Sequence, residues 1–200
     1  MKTTNYSKVD CNNVQVLFTQ VKSTYLNLGC DCYGIHRNAL SIKSKCPAIY
    51  HPPCRAWSRM RTFAKAQVGE PFLAIWSISR VRRFGGIVEQ PAGSKLWEFL
   101  NLPMPGSGYD IFGGFSISLD QHWFGHKAKK NTWLYIKGCY LNDLPPYPMN
   151  FDCVTHCLNS SLKTSKLKEL AKNKRSYTPI LFAEWLIEVI EIIKNPTYTL

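Results

Sequence analysis

Residues 47–54 read PAIYHPPC, a short apolar run followed by a histidine, two prolines and a cysteine. The short apolar run ending at Tyr50 predicts a central strand, and Pro52-Pro53 predicts a rigid turn directly after it. Cys54 follows the turn. A thiol is therefore expected at the edge of a sheet, and we expect any chemistry of the chain to centre on residues 51–54.

The next segment predicts a helix followed by a second strand. Glu70-Pro71 is typical of a first helical turn, and Gly85-Gly86 is typical of a helix end. Ile87-Val88-Glu89 then resumes as a strand that stops at Pro91. Such a unit is typical of a wound α/β sheet, which binds ligands at the carboxyl ends of its strands. We therefore expect Glu89 at that edge.

Further strands are predicted on both sides of this unit. Val14–Thr19 and Cys32–Ile35 indicate two short strands near the N-terminus. Residues 115–120 alternate between apolar and polar side chains, and residues 132–136 supply an antiparallel partner across the basic turn 125–130. The prediction is a wound, largely parallel α/β sheet with helices on both faces and an antiparallel hairpin at one edge.

The whole chain of 200 residues is expected to form one domain. It comprises an N-terminal region over residues 1–46, a core over residues 47–140, and a basic surface excursion with a C-terminal helix over residues 141–200. Thr178 is predicted as the N-cap of that helix and Pro179 as its first residue. An apolar stripe along residues 181–193 is expected to face the core.

Composition narrows the functional classes. The apolar content of 45% excludes a disordered chain, and the net charge of +12 suits a polyanionic partner such as DNA. The sequence has no uncharged stretch long enough to span a bilayer, and residues 1–8 lack the apolar run of a signal peptide. We therefore expect a cytoplasmic protein whose eight cysteines form no structural disulfides.

Cys54 has two interpretations from the residues alone. Three basic neighbours, Arg55, Arg59 and Arg61, are expected to lower the pKa of the thiol and favour the thiolate. A thiolate at a sheet edge is a candidate nucleophile. The alternative is an inert cysteine buried after a Pro-Pro turn.

Together with its neighbours, this turn resembles the cytosine-C5 DNA methyltransferases, and more closely short phage-type proteins that look like trimmed relatives of them. Pro53-Cys54, followed by Ser58, matches the family's nucleophile turn, and Glu89-Gln90-Pro91 occupies the place of its Glu-Asn-Val or Glu-Asn-Pro motif. The later part of the family pattern is matched by Gln121, Gly125, Lys130 and Thr132. The resemblance covers about residues 47–138.

The resemblance implies a Rossmann-like methyltransferase core and a division of roles. Cys54 would add to C6 of a cytosine, and Glu89 would contact the ring nitrogen N3 and the amino group. The target base would be flipped out of the duplex, and S-adenosylmethionine would be the cofactor. The residues expected to hold the base or its phosphate are Arg55, Ser58, Gln121, His126 and Lys130.

The sequence departs from the family pattern in the cofactor region. Residues 16–21 read VLFTQV and lack the Gly-rich turn that follows the first strand, and Asp31 is the only candidate for the ribose-binding acid. No segment is long enough for a target recognition domain. One alternative is a non-catalytic DNA-binding protein derived from this fold. Another is a pyrimidine-modifying enzyme with a different carbon donor, as in the thymidylate synthases.

Zinc binding is a third use of the cysteines. Cys30 and Cys32 form one cluster, and Cys153, His156 and Cys157 form another. Their irregular spacings differ from the paired Cys-x2-Cys arrangement of structural zinc sites. We therefore predict no metal ligands.

Overall fold

The computed structural model describes residues 13–150, 152–158 and 167–196. Residues 1–8, where a signal peptide is predicted to be absent, lie outside these ranges, as do residues 151 and 159–166 of the predicted surface excursion. Six strands form the main sheet: β1 Gln15–Thr19, β2 Asp31–Gly34, β3 Ala48–Tyr50, β4 Gly86–Pro91, β5 Gly114–Asp120 and β6 Asn131–Lys137. Two short strands form a second sheet: β7 His156–Cys157 and β8 Lys168–Glu169.

The main sheet has the strand order β2-β1-β3-β4-β6-β5. The first four strands are parallel, whereas β6 runs antiparallel to both β4 and β5. These pairings confirm the predicted α/β class, with a mostly parallel sheet and an antiparallel hairpin at one edge. The chain passes from β1 to β2 on one side and then to β3 on the other, so the winding direction reverses between β1 and β3. Wound sheets bind ligands beside such a reversal.

The described helices are α1 Thr24–Asn27, α2 Glu70–Phe84, α3 Leu96–Phe99, α4 Lys172–Arg175 and α5 Ile180–Lys194. The strands alternate their side chains between two cores. Val16, Ile49 and Ile87 pack with α5 on one face. Their neighbours Leu17, Tyr50 and Val88 pack with α2 on the other face, as the two-residue period of a strand requires. Helices therefore cover both faces, as predicted.

The sequence predicted both ends of α2 correctly but placed the start of α5 one residue too early. α2 begins at Glu70 and stops before Gly85, as predicted, because Gly85 adopts a φ of 81°. α5 begins at Ile180, so the predicted N-cap at Thr178 is wrong by one residue. The cap is Pro179, whose carbonyl accepts the first helical hydrogen bond from Phe182, while the Thr178 carbonyl accepts one from the Thr24 hydroxyl.

Cys46 is disulfide-bonded, so the expectation of a chain without disulfides is wrong. Cysteines without a disulfide are Cys30, Cys32, Cys54, Cys139, Cys153 and Cys157. In the part of the chain that the structure describes, no helix has the length and apolar character needed to cross a membrane.

Candidate functional site

The candidate site lies at the carboxyl edge of the main sheet. Because β3 and β4 are adjacent and parallel, the turn that carries Cys54 and the end of β4 that carries Glu89 meet at the same edge. Gln121 follows β5, which runs in the same direction as β4, and Lys130 precedes the antiparallel β6. Both therefore lie at that edge. The predicted convergence of Cys54, Glu89, Gln121 and Lys130 is a property of the strand order.

The turn at residues 51–54 is held by bonds to the neighbouring strands. The His51 amide donates to the Leu17 carbonyl of β1 (3.1 Å), and the Gln90 side chain of β4 donates to the Pro52 carbonyl (2.7 Å). The carbonyl of Cys54 accepts hydrogen bonds from the amides of Trp57 and Ser58. Two prolines and these bonds fix the direction in which the thiol is presented. Ser58 contributes its backbone to this turn.

Glu89 is the centre of a hydrogen-bonded group. One carboxylate oxygen, Oε2, lies 2.9 Å from Nδ1 of His51, and the other, Oε1, lies 3.4 Å from Nε2 of Gln121. The second ring nitrogen of His51, Nε2, lies 2.9 Å from the hydroxyl of Tyr25. The His51 and Glu89 side chains are only 14% and 16% exposed. The carboxylate is therefore oriented from two sides and largely shielded from water.

The electrostatics of Cys54 contradict the sequence prediction. Burial and the charge of Glu89 raise the pKa of the Cys54 thiol, and Lys130 only partly opposes them. The charge of Arg55 does not overcome these effects, because its guanidinium donates to the buried carboxylate of Glu70 at 2.8 Å. Arg59 and Arg61 are exposed. In this structure Cys54 is therefore a protonated thiol at neutral pH.

Glu89 and Lys130 interact electrostatically across the site. Burial acts to raise the pKa of Glu89, but the hydrogen bond and charge of His51, together with Lys130, outweigh it and leave that pKa lowered. Burial also lowers the pKa of Lys130, although Glu89 and Cys54 favour its charged form. The site thus holds a carboxylate and an amine next to a thiol.

Oε1 of Gln90 and Oε1 of Gln121 are buried at this edge and have no hydrogen-bond partner among the residues that the structure describes. The Gln121 amide nitrogen is bonded to the Thr132 hydroxyl (3.0 Å) as well as to Glu89. Buried acceptors without partners are uncommon in folded proteins. Donors on a bound ligand, such as an exocyclic amino group, would satisfy them.

Two of the predicted site residues do not join the group around Glu89. Asp31 begins β2, so it lies at the amino edge of the sheet, where it forms an ion pair with Arg37 and accepts from the Gln15 side chain. His126 is buried, and its Nδ1 lies 2.7 Å from the carbonyl of Ala128, so its ring shapes the hairpin turn. The predicted roles in cofactor and substrate binding gain no support from these positions.

A cavity of about 450 Å³ lies beside the hairpin, away from Cys54. It is lined by residues of the hairpin and of the segment that follows it, among them Asp120, His122, Trp123, Lys129 and Asp152. None of the residues that converge around Glu89 lines it. Within the described residues, no group of three or more His, Cys, Asp or Glu side chains is placed to hold a metal ion.

His51 and Tyr25 are the two site residues that the sequence analysis did not assign. His51 had a usable signal, because it is a titratable residue immediately after a strand that ends at the predicted site edge. Tyr25 had no sequence signal for a role in the site, because its contact with His51 joins residues 26 positions apart along the chain. Compared with known proteins, the chain matches no family model and no curated protein.

The raised pKa of the Cys54 thiol gives a first testable prediction. Alkylation by iodoacetamide requires the thiolate, so its rate rises with pH until the thiol is fully ionised. For Cys54 this rise should continue to a higher pH than for an ordinary cysteine, whose pKa is about 8.5. Replacing Lys130 with Met removes the cation that lowers this pKa. The rate at pH 8 should then fall about threefold to tenfold, since one pKa unit changes the thiolate fraction about tenfold.

The alkylation rate of Cys54 is measured by peptide mass spectrometry after timed labelling. The exposed neighbour Lys129 supplies the control, because it does not contribute to the pKa of Cys54. Lys129→Met should leave the rate unchanged. A Lys130→Met rate equal to that of the parent protein would contradict the assigned electrostatics.

Proposed function

We propose that this chain is a cytosine-C5 methyltransferase-like protein in which Cys54 adds covalently to C6 of a pyrimidine, in DNA or in a nucleotide. The observation that carries the proposal is the convergence of Cys54, Glu89, Gln121 and Lys130 at the carboxyl edge of one sheet. These are the residues that the resemblance assigns to the reaction, and they come from four separate segments of the chain.

The chemistry explains why these groups belong together. A pyrimidine C6 accepts a thiolate only if the electrons displaced through C5 and C4 are received at N3. When the sulfur–C6 bond forms, N3 gains a proton, and C5 becomes an enamine carbon able to attack an electrophile. Glu89 is the group that contacts N3, and the buried amide oxygen of Gln121 accepts from the exocyclic amino group. Lys130 favours the thiolate that begins the reaction.

The residues around the switch point between β1 and β3 do not fit S-adenosylmethionine. β1 ends in Phe18-Thr19 without a Gly-rich turn, and Phe18 itself adopts a φ of 63°. β2 is followed by His36 and Arg37, whereas its acid, Asp31, lies at the opposite edge. The mechanism proposed here therefore includes no step through that cofactor. The addition of Cys54 to the ring needs none.

DNA is the proposed macromolecular partner. The net charge of +12 favours a polyanion, and the exposed Lys127 and Lys129 lie on the hairpin turn that also carries Lys130. Lysines on one turn can neutralise successive phosphates and release counterions. Binding should accordingly weaken steeply as salt is raised.

The proposal is tested with a DNA duplex that contains 5-fluorocytosine, incubated with the full chain with and without S-adenosylmethionine. Fluorine withdraws electrons from the ring and so favours the addition of the thiolate at C6. Fluorine also replaces the hydrogen that must leave C5, so an adduct that gains a group at C5 cannot resolve. We expect a covalent protein–DNA species by intact mass spectrometry. Cys54→Ser should abolish it, while Cys153→Ser, which alters an exposed cysteine, should leave it unchanged.

A second candidate is a non-catalytic DNA-binding protein of the same fold. The raised pKa of the Cys54 thiol, caused by burial and by Glu89, favours it, because a protonated thiol is a poor nucleophile. The same experiment separates the two. Salt-dependent DNA binding without any adduct, in every condition, would support the second candidate and reject the first.

A further inference from the structure

Tyr25 and His51 lie behind Glu89 at the point where the winding of the sheet reverses. His51 is the first residue after β3, and Tyr25 lies in α1, which follows β1. Because β1 and β3 are neighbours, the two side chains meet in the crevice between their carboxyl ends. Their rings pack at a centroid distance of 5.3 Å, and Tyr25 is only 1% exposed. The position is the one where wound sheets place functional groups.

The hydrogen-bond pattern fixes which atom donates. An ionised carboxylate only accepts, so Nδ1–H of His51 donates to Oε2 of Glu89. A tyrosine hydroxyl both donates and accepts. Neutral His51 therefore accepts at Nε2 from Tyr25, and protonated His51 donates from Nε2 to the same oxygen. The ring can gain or lose a proton without losing either contact.

We propose that His51 is a positioning residue that holds the proton Glu89 delivers to the substrate ring, with Tyr25 bonded to the far side of the imidazole. The inference rests on the proposed function and extends it beyond the four residues named there. The proton starts on protonated His51. The Nδ1–H bond breaks as an O–H bond forms on Glu89, and the carboxyl proton then passes to N3 of the pyrimidine as sulfur bonds to C6. His51 ends neutral, and the Cys54 thiol loses its proton to water.

The surroundings suit this role. Glu89 faces His51 from β4, while Lys130 and Cys54 interact with Glu89 and with each other across the edge. On the other side, the charges that act on Tyr25 come from Glu89, Cys30 and Cys32. Burial first, and these groups second, raise the pKa of Tyr25, so its hydroxyl keeps its proton. Among the three hydrogen-bonded side chains Tyr25, His51 and Glu89, only His51 and Glu89 therefore exchange the proton.

Two substitutions of His51 separate orientation from proton transfer. The Asn side-chain amide occupies the place of Nδ1 and can donate to Glu89, but it cannot carry an extra proton. His51→Asn should keep the carboxylate oriented yet reduce the rate of adduct formation with 5-fluorocytosine DNA about 100-fold. It should also change the pH dependence of that rate. His51→Gln, whose amide is placed near Nε2, should lose both functions.

Tyr25→Phe removes the hydroxyl and keeps the ring packing. We expect a smaller loss of rate and a changed nitrogen-15 shift at Nε2 of His51. The exposed His36 supplies the control, so His36→Gln should match the parent protein in rate and pH profile. Thermal unfolding of each variant identifies any that fails to fold.

A second readout does not depend on catalysis. Carbon-13 NMR of the Glu89 carboxyl group follows its titration in the full chain, and His51→Gln should raise its pKa because the main group that lowers it is lost. If the parent protein forms no adduct, the proposed function fails, and this titration still tests the bond between His51 and Glu89. If adducts form and His51→Asn keeps the parent rate and pH profile, His51 only orients Glu89 and the inference is overturned.

Discussion

Replacing Glu89 with Gln is expected to change two reactions of Cys54 in opposite directions. Addition to the pyrimidine should slow about 10²–10⁴-fold, because the Gln amide oxygen still accepts from His51 but the amide is too weak an acid to transfer a proton to N3. Alkylation of Cys54 by iodoacetamide at pH 7.5 should become faster. The charge of Glu89 raises the pKa of the thiol, so its removal increases the thiolate fraction.

Because the rate of addition falls while the rate of alkylation at Cys54 rises, misfolding of the variant cannot account for the expected result. A variant that unfolds would expose every cysteine and lose the adduct, whereas Glu89→Gln should accelerate labelling at Cys54 and leave labelling of Cys139 as it was. Glu98→Gln is the matched control, because Glu98 is exposed, 74% for its side chain, and pairs only with Lys95 among the described ion pairs. Equal adduct rates in Glu89→Gln and the parent protein would remove Glu89 from the reaction.

The edge of the sheet that holds the site was predictable from local patterns. The helix at residues 70–84 and the strands on either side of it have clear periodicity and clear ends, and wound sheets place strand ends on one side. From the sequence alone, Cys54 and Glu89 were therefore expected at the same edge of the sheet. The alternation of residues 115–120 predicted the hairpin, whereas Gln121 and Lys130 were assigned to the site only by the resemblance to the methyltransferases.

The partners of Glu89 were not predictable in the same way. Its contact with His51 joins residues 38 positions apart, and that of His51 with Tyr25 joins residues 26 positions apart. The first contact depends on the pairing of β3 with β4, and the second depends on β1 lying beside β3. No local pattern encodes either pairing. The pKa of Cys54 was mispredicted for a related reason. A basic neighbour in sequence does not by itself determine a thiol pKa. The Arg55 guanidinium is bonded to Glu70, while burial and the charge of Glu89 raise the pKa of Cys54.

The pair Gly85-Gly86 illustrates the same limit and carries the last prediction. The sequence explains Gly85 as the end of α2, but it does not explain why a second glycine follows. Gly86 begins β4 and pairs with Ala48 of β3. A Cβ at Gly86 would lie 2.3 Å from the Ala48 carbonyl oxygen and 2.8 Å from its nitrogen, and φ is 122°. Only glycine allows these two strands to approach at that point.

Gly86→Ala is therefore expected to lower the free energy of unfolding by about 3 kcal/mol or more, since it combines backbone strain with a clash against main-chain atoms in the centre of the sheet. Gly113→Ala is the control. Gly113 also has a positive φ, 76°, but a Cβ there would meet nothing within 4 Å. It should cost only about 1 kcal/mol. Urea unfolding, followed by tryptophan fluorescence, measures both variants.

The two substitutions should differ in how much free energy of unfolding they remove. The size of that difference tests the register of β3 and β4, which forms the site. If β3 and β4 pair as described, Ala48 lies against Gly86, and the same alignment places the turn at residues 51–54 beside Glu89. Equal losses in the two variants would mean that backbone strain alone is responsible and that the strands do not approach at Gly86. The alignment of Cys54 with Glu89 would then lose its structural basis.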